Sequence, residues 1–315
     1  MGAQALKLGT RGSPLALWQA NHVAGLLRGV EAGLEVEIVT IRTLAEKFPE
    51  KEVAEIGSGI FTREIDEALV EGRIDLAVHS LKDVPSEIDV RLILAAVPER
   101  EDPRDAFVSP GRMRLLDVPR GSRIGTGSPR RRAQIVHARP DIEVVPLRGN
   151  VATRIAKVES QGLAGTVLAC AGLRRLGEEA RITEAIDPGV MTPAVSQGAL
   201  GVLARGDNPL ALRLGKAMDH APSRLCVSAE RGFLRTLRGG CLVPAGALAT
   251  VLPGGRLRLI GVIAATDGSA CYRDTVEDAC PDGLAAEGLG LRLARDLLGR
   301  GGAEVIRKLA AEERG

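Results

Sequence analysis

Aromatic side chains are scarce in this 315-residue sequence, which has one Trp, one Tyr and four Phe. Proteins that bind single-stranded nucleic acid use such side chains as stacking platforms, so the scarcity disfavours that class. The formal net charge is only +2, from 42 Lys plus Arg and 40 Asp plus Glu. A nearly neutral chain does not attract polyanions in general, although it can carry local basic patches. We therefore expect no nucleic acid as a partner.

Long apolar segments are missing too. The first residues, Met1–Lys7, contain no apolar stretch of the kind that a secretory signal needs. The longest runs without charge, residues 189–204 and 239–255, are interrupted by proline and are too short and too rich in glycine to span a membrane. The sequence therefore predicts a cytoplasmic protein with no membrane partner.

Cysteine and histidine are not spaced for disulfides or for metal binding. The five cysteines are odd in number and include no CxxC pair, which favours reduced thiols. The four histidines are scattered, with none paired at i, i+4, so we expect no metal site. The phosphate-binding loop, the complete dinucleotide-binding glycine pattern and the G-x-S-x-G elbow of hydrolases are missing as well.

Alternating strand-like and helix-like segments predict an α/β fold for most of the chain. The most informative feature is a repeat: a short strand leads to Gly12-Ser13-Pro14, another leads to Gly127-Ser128-Pro129, and a helix pattern follows each. Serine directly before proline is typical of a helix start, with Ser as N-cap and Pro in the first turn. The repeat predicts two α/β domains of one design.

The predicted domain limits follow from this pattern. Domain 1 is α/β and covers residues 1–98, completed by about 198–218, and domain 2 is α/β and covers 104–192. Between them, the charged and proline-bounded segment 98–105 is predicted to be a linker. The pattern of the remaining residues predicts a long helix, two strands and a last helix, and hence a small α+β domain 3 over 222–315.

An excess of arginine marks the start of domain 2. Between Arg123 and Arg154 the chain has seven arginines against Asp141 and Glu143, a local excess of +5. Some of these side chains must face solvent, as in any charged segment. Others follow strand ends or open helices, where the helix dipole and exposed backbone N–H groups bind anions. Because Arg pairs with carboxylates in a planar, bidentate way, we expect an anionic ligand with several carboxylates.

Two further residues are candidates for chemistry. Asp83 lies in the segment that follows a buried strand, where a carboxylate can act as acid and base or stabilise a cation. The alternative is that Asp83 only caps a turn before Pro85, and spacing alone does not separate the two. Cys241 follows two glycines after a helix, so its thiol is predicted to be accessible. An incidental cysteine is the alternative there, whereas the apolar neighbours of Cys170 predict core packing.

Taken together, six segments resemble one family, hydroxymethylbilane synthase, also called porphobilinogen deaminase. The resemblance covers nearly the whole chain, and so many ordered matches exclude coincidence. The matching segments are TRGSPLALWQA (Thr10–Ala20), DLAVHSLKDVP (Asp75–Pro85), EREDPRDAFVS (Glu99–Ser109), LRGNVATR (Leu147–Arg154), AGLRRLG (Ala171–Gly177) and GGCLVP (Gly239–Pro244).

The resemblance implies two α/β domains similar to periplasmic binding proteins, with a cleft between them, plus the small C-terminal α+β domain. It implies a dipyrromethane cofactor, attached to Cys241 by a thioether. The activity that it implies is a transferase reaction: four porphobilinogen molecules are joined head to tail with loss of ammonia, and hydrolysis releases linear hydroxymethylbilane for porphyrin and haem biosynthesis. A monomer is expected on the same ground.

The resemblance also assigns roles to residues. Asp83 is the expected catalytic residue, because an ionised carboxylate can stabilise the cationic pyrrole species and move protons. The remaining assignments are contacts to carboxylates of the cofactor or of the substrate. The expected cofactor contacts besides Cys241 are Lys82, Ser80, Ser128, Arg130, Arg131, Arg148 and Arg154. The expected substrate contacts are Arg11, Ser13, Arg148, Arg154, Arg175 and Gln197.

The sequence departs from the family pattern at three places. Ser58 stands where the family often has a lysine, which puts a lysine contact from that loop in doubt. The usual Ser-Ser-Leu-Arg-Arg is Gly-Ser-Pro-Arg-Arg here and keeps both arginines. The usual glycine of the Pro-Ala-Val-Gly-Gln-Gly-Ala segment is Ser196. None of these changes removes Asp83 or Cys241.

Two alternative hypotheses for the function belong to other classes of protein. A two-domain module that binds carboxylates without chemistry fits the duplicated halves and the arginines equally well. Against it stand the missing secretory signal, the third domain and the pairing of Asp83 with Cys241. A cysteine hydrolase is weaker, because no histidine lies near Cys241 in sequence. A covalent pyrrole on Cys241 would discriminate among them.

Overall fold

The computed structural model describes residues 5–43, 59, 61–237 and 243–312. The chain forms two compact units, one of residues 1–101 with 199–224 and one of residues 102–198 with 225–315. The second unit contains both a five-stranded and a three-stranded sheet. The finer limits predicted for three domains stay predictions.

The first unit contains a five-stranded sheet in the order β2-β1-β3-β10-β4. Its strands are β1 (Leu6–Thr10), β2 (Val36–Thr40), β3 (Leu76–Ser80), β4 (Leu92–Ala96) and β10 (Leu200–Arg205). Its helices are α1 (Pro14–Val30), α2 (Arg63–Val70) and α6 (Pro209–Met218). Strand β1 is parallel to β2 and β3, whereas β10 is antiparallel to both of its neighbours. Leu8, Leu27 and Leu76 share one core cluster, and Ile65 and Ala77 belong to another.

A second five-stranded sheet, in the second unit, has the order β7-β6-β8-β5-β9. Its strands are β5 (Asp105–Val108), β6 (Arg123–Gly125), β7 (Glu143–Val145), β8 (Gly165–Ala169) and β9 (Glu184–Ala185). The helices are α3 (Pro129–Ala138), α4 (Val151–Ser160) and α5 (Cys170–Arg175). Strand β6 is parallel to β7 and β8, and the antiparallel strand β5 again occupies the fourth place. The prediction of two α/β parts of one design is confirmed.

The predicted helix starts are confirmed at the level of single hydrogen bonds. Ser13 accepts the backbone N–H of Ala16 before α1, and Ser128 accepts that of Arg131 before α3. In both helices the next residue is proline, whose missing N–H costs nothing in the first turn. The two repeats therefore form because the local sequence satisfies the same unpaired helix ends twice.

The C-terminal part is a three-stranded antiparallel sheet in the order β11-β12-β13, with helices. The strands are β11 (Ala245–Leu252), β12 (Arg256–Ala264) and β13 (Cys271–Ala279), and the helices are α7 (Ala221–Leu237), α8 (Gly283–Leu297) and α9 (Ala303–Glu312). Phe233, Leu259 and Leu293 are buried in its core. Gly290 permits close packing, because a Cβ there would collide with the backbone of Ala229. The α+β character of this part is confirmed.

Several elements depart from the sequence prediction. The segment 98–105 was predicted to be a linker, but Asp105 begins β5 and is completely buried. Strand β3 continues through His79 to Ser80 instead of ending before them. Strands β10 and β13 were not predicted. Within the described ranges, none of the helices combines the length and apolar character that crossing a membrane requires.

Candidate active site

Asp83 lies in a short 3-10 turn, Leu81–Asp83, that follows β3 directly. Both faces of the strand end are held by polar contacts. On the face toward α1, Gln19 donates to Ser80 Oγ at 2.7 Å. On the other face, His79 Nε2 lies 3.2 Å from Asp66 Oδ1, an ion-pair distance whose approach does not meet hydrogen-bond geometry. These contacts fix the start of the turn that presents Asp83.

The carboxylate of Asp83 is half-buried, and no described residue donates a hydrogen bond to it. The N–H of Val84, which closes the turn, donates to the carbonyl of Leu81 instead. Among the described residues, no ion pair joins Asp83 to the half-buried Lys82. The carboxylate is therefore not used as a cap within this part of the chain, which leaves it for a ligand.

The two other predicted residues of the first unit lie at the end of β1. The Arg11 guanidinium carbon is 4.8 Å from the centre of the Phe61 ring, a cation–π distance. Ser13 is half-buried, and its Oγ accepts the N–H of Ala16 at 3.4 Å. Its hydroxyl hydrogen can still be donated, because capping uses only an oxygen lone pair.

The carboxylate of Asp105 holds Arg130 and Arg131, which open helix α3. Arg130 Nη1 donates to Oδ2 at 2.8 Å, and Arg131 donates to Oδ1 from Nε at 3.0 Å and from Nη2 at 2.7 Å. Both arginines are at least 94% buried and Asp105 is fully buried. The cluster is thus a desolvated group of two positive charges and one negative charge.

Burial and charge act in opposite directions on these groups. Burial alone would raise the pKa of Asp105, but the guanidinium groups of Arg130 and Arg131 outweigh it and hold the pKa well below its usual range. Burial lowers the pKa of Arg130, and the charge of Arg131 adds to this, while Asp105 opposes it. The carboxylate of Asp105 consequently stays ionised at neutral pH and offsets one of the two positive charges.

Gln197 and Arg175 contact backbone and cluster atoms of the second unit. Gln197 Nε2 donates to Pro103 O at 2.9 Å and to Asp105 Oδ1 at 3.0 Å. Arg175 is 8% exposed, and its Nη2 donates to Gly198 O at 2.6 Å. Gln197 therefore supports the carboxylate that holds the arginine pair, a contact that the sequence did not predict.

The segment Leu147–Arg154 brings two more arginines into the second unit. Gly149 has φ +120°, which only glycine adopts without strain, and Thr153 leaves no room for a Cβ there. Asn150 caps α4 by accepting the N–H of Thr153 at 2.8 Å. Arg148 is exposed, whereas Arg154 lies in the first turn of α4, and its buried Nε has no hydrogen bond to any residue that the structure describes.

Arg154 adds a further positive charge near Arg131. Burial lowers its pKa, and the nearby charge of Arg131 lowers it further. Arg130, Arg131 and Arg154 carry three positive charges, and Asp105 supplies one negative charge, which leaves +2. An unpaired buried N–H beside such an excess is what a carboxylate ligand would satisfy. The donor set therefore fits a group that bears carboxylates.

Of the remaining predicted site residues, the structure describes Ser128 but not Cys241. Ser128 is half-buried, and its Oγ is close to the N–H of Arg131 at 3.4 Å, so its hydroxyl lies at the arginine pair. Cys241 and Ser58 lie outside the described residues. Cys170 is in the core as predicted, and burial raises the pKa of its thiol to about 12.

Sequence reasoning missed Asp105 and Glu230. Glu230 is fully buried and accepts two backbone N–H groups, from Ser196 at 2.6 Å and Ala249 at 2.9 Å. For Asp105 a signal existed, because the charged segment leads directly into the apolar Ala106-Phe107-Val108. For Glu230 the surrounding helix pattern gave none.

Comparison with known proteins gives a consistent result. Residues 6–212 match the family model "Porphobilinogen deaminase, dipyromethane cofactor binding domain", and residues 224–299 match "Porphobilinogen deaminase, C-terminal domain". The chain is 48% identical to the porphobilinogen deaminase of Syntrophomonas wolfei over 96% of this chain and 97% of that protein. It is 45% identical to that of Syntrophotalea carbinolica over 98% of this chain and 97% of that protein.

Among solved structures, the chain is similar to a nutrient-binding protein from Burkholderia cenocepacia bound to methionine. The two are 14% identical, with a TM-score of 0.41 over 68% of this chain and 91% of that chain. A likeness this low carries no argument about the function of this chain. The two family models together match most of the chain, and the two curated relatives are 45% and 48% identical to it over nearly its full length. It follows that this chain belongs to the porphobilinogen deaminase family.

Proposed function

We propose that this chain is a hydroxymethylbilane synthase, which joins four porphobilinogen molecules head to tail with loss of ammonia and releases linear hydroxymethylbilane. The observation that carries the proposal is the arginine group of the second unit, in which buried charge exceeds its carboxylate partner. Porphobilinogen carries an acetate and a propionate, so a growing chain accumulates the carboxylates that such a group binds.

In this proposal Arg130, Arg131 and Arg154 hold carboxylates of the cofactor or of the growing chain. Asp105 keeps the first two guanidinium groups in place, and its charge is too small to neutralise them. Arg148, exposed at the turn before α4, is proposed to contact the same type of group, with Ser128 beside the arginine pair. Arg11, Ser13, Arg175 and Gln197 are the further residues proposed to bind or support the substrate.

Asp83 is proposed as the catalytic residue. Loss of ammonia from porphobilinogen gives an electron-poor species, and the following bond formation passes through cationic pyrroles. An ionised carboxylate lowers the energy of such cations and can accept and return the proton at the reacting carbon. Asp83 is suited to this because no described residue occupies its oxygens. Lys82 and Ser80, at the same strand end, are proposed to contact the cofactor.

Dipyrromethane is the cofactor of this family's matched domain, and it supplies the primer to which the first porphobilinogen is joined. We propose Cys241 as its attachment point, by a thioether. The monomeric state and the cytoplasmic location stay predictions. The non-catalytic carboxylate-binding module is not favoured, because both parts of the chain match porphobilinogen deaminase models.

The decisive experiment is the intact mass of the purified protein, compared with Cys241→Ser and with Cys271→Ser as a matched control at a half-buried cysteine. We expect a mass excess of two linked porphobilinogen-derived units in the wild type and in the control, and its loss in Cys241→Ser. Ehrlich's reagent should detect pyrrole in the same two samples only. An unmodified wild type that also fails to load from porphobilinogen or hydroxymethylbilane would refute the proposal.

A further inference from the structure

Arg273, on strand β13 of the C-terminal sheet, reaches the loop that follows β9 and helix α3. Its Nη1 donates to Gly189 O, and its Nη2 donates to Val190 O at 3.1 Å and to Gln134 Oε1 at 2.9 Å. Its Nε is buried and has no hydrogen bond within the described residues. The guanidinium is therefore largely committed to contacts on the α/β part of the unit.

Gln134, which receives this contact, holds the backbone of Thr192 from both sides. Its Oε1 accepts the Thr192 N–H at 2.8 Å, and its Nε2 donates to Thr192 O at 3.1 Å. Gln134 is 2% exposed, so water cannot replace these bonds without opening the core. The side chain thus fixes the position of one backbone carbonyl.

That carbonyl is a hydrogen-bond acceptor of Arg130. Arg130 Nη1 donates to Thr192 O at 2.7 Å as well as to Asp105 Oδ2 at 2.8 Å. Two acceptors on one nitrogen fix the plane of the guanidinium and so the direction of its remaining N–H groups. A continuous series of bonds thus runs from β13 through Gln134 and Thr192 to Arg130.

The same sheet is packed against the α/β part of the unit at two other places, one on α3 and one on the loop that contains Thr192. Ala133 shares an apolar cluster with Val262 and Ala264 of β12. A Cβ on Gly246 of β11 would lie 2.5 Å from Pro193 O and 2.7 Å from Thr192 O, so only glycine permits this approach. The contact of Arg273 is consequently part of a packed surface, not an isolated surface bond.

We propose that Arg273 and Gln134 are positioning residues for Arg130, and that they set where this guanidinium points relative to the C-terminal sheet. The inference rests on the proposed function, in which Arg130 holds a carboxylate of the cofactor. Cys241 lies four positions before Ala245, the first residue of β11. Hydrogen bonds that connect the C-terminal sheet to Arg130 would keep a constant distance between the attachment residue Cys241 and the guanidinium that holds the carboxylate.

The test uses Arg273→Met, which keeps the aliphatic stem and loses the guanidinium. Arg258→Met is the matched control, because Arg258 is exposed on β12 and pairs with Glu277 of the same sheet. We expect kcat/KM for porphobilinogen to fall about ten-fold in Arg273→Met, as for a small displacement of a binding group, and to stay unchanged in the control. Arg273→Lys, which can still donate to Gln134, should recover part of the loss.

A double-mutant cycle separates positioning from general stability. If Arg273 acts through Arg130, Arg273→Met should add little to the loss already caused by Arg130→Lys. Losses that multiply in the double variant would overturn the proposal, since Arg273 would then act independently of Arg130. Equal losses in Arg273→Met and in the control would overturn it as well.

A readout without activity keeps the inference distinct from the proposed function. In cofactor-free protein, hydrogen exchange of the Thr192 amide should become about ten-fold faster in Arg273→Met but not in Arg258→Met. Unchanged exchange would refute the connection while leaving the transferase proposal intact. Faster exchange in Arg273→Met, together with a wild type that proves inactive on porphobilinogen, would retain the connection and refute the role of Arg130 in cofactor binding.

Discussion

The backbone N–H of Ser196 donates to Oε2 of Glu230 at 2.6 Å, and this bond holds a serine in a conformation that favours glycine. Ser196 has φ +62°, in the left-handed region. Its Oγ is buried and has no hydrogen bond within the described residues. The next residue, Gln197, donates to Asp105, so the strained position lies directly beside the residue that supports the arginine pair.

We expect Ser196→Gly to stabilise the protein. The left-handed conformation costs a non-glycine residue about 1 kcal/mol, and the unpaired buried hydroxyl adds a similar penalty. These gains exceed the greater backbone entropy that glycine brings to the unfolded chain, so the free energy of unfolding should rise by about 1 kcal/mol. Denaturant unfolding measures it. The control Ser160→Gly, at the exposed end of α4, should change stability in the opposite direction. A loss of stability in Ser196→Gly would contradict the strain argument.

Asp105→Asn should be strongly destabilising at neutral pH, by about 3 to 5 kcal/mol, because it leaves two buried guanidinium groups without their carboxylate. The pKa of Asp105 is lowered in the folded state, so its contribution is complete above the unfolded pKa of about 3.9 and is lost as pH falls toward the folded pKa. The difference between wild type and variant should therefore stay constant from about pH 8 to 5 and shrink only below about pH 4. A difference that already shrinks near pH 6 would show that the carboxylate is not held in its charged form.

Arg154→Met should separate binding from stability. Burial and the neighbouring Arg131 disfavour the charge of Arg154, so its removal should leave the unfolding free energy unchanged or raise it by up to about 1 kcal/mol. Binding of carboxylate-bearing pyrroles should weaken at least about ten-fold, seen as stalled elongation or incomplete cofactor loading by mass spectrometry. Arg132→Met is the control, since Arg132 is exposed and donates to Val144 O. Full turnover with intact cofactor in Arg154→Met would argue against the carboxylate contact.

Asp83→Asn should leave the fold and the cofactor content intact and reduce kcat by about a hundred-fold or more, because the amide neither stabilises a cation nor accepts a proton. Asp89→Asn makes the same chemical change at an aspartate that pairs with Arg91 beyond the turn, and it should retain activity. Melting temperature and intact mass establish that both variants are folded and loaded. Turnover close to wild type in Asp83→Asn would overturn the proposed catalytic role.

Local features of this protein could be predicted from sequence because they depend on neighbours in the chain. Ser13 and Ser128 cap their helices as predicted, since the bond from a cap to the third helical residue spans only a few positions. The core position of Cys170 followed from its apolar flanks. The family resemblance was also a property of the sequence, through motifs that each lie within a short segment.

The burial of Asp105 could not be read from its neighbours. In sequence Asp105 is the last residue of a charged, proline-bounded segment, and the charged side chains of such segments are mostly exposed to solvent. In the fold it begins an inserted antiparallel strand, and partners 25, 26 and 92 residues away supply the hydrogen bonds that make a buried carboxylate tolerable. No local pattern encodes contacts over such separations.

The sequence by itself therefore determined the helix caps, the α/β repeat, the family and the residue types of the proposed chemistry, because these follow from short-range bonds and from motifs. The tertiary structure alone decided which arginines are paired and which stay unpaired. Arg130 and Arg131 are held by Asp105, while Arg154 keeps a buried Nε–H that no described residue accepts. The physical reason is that desolvation and charge compensation depend on what packs around a group in three dimensions, not on what precedes it in the chain.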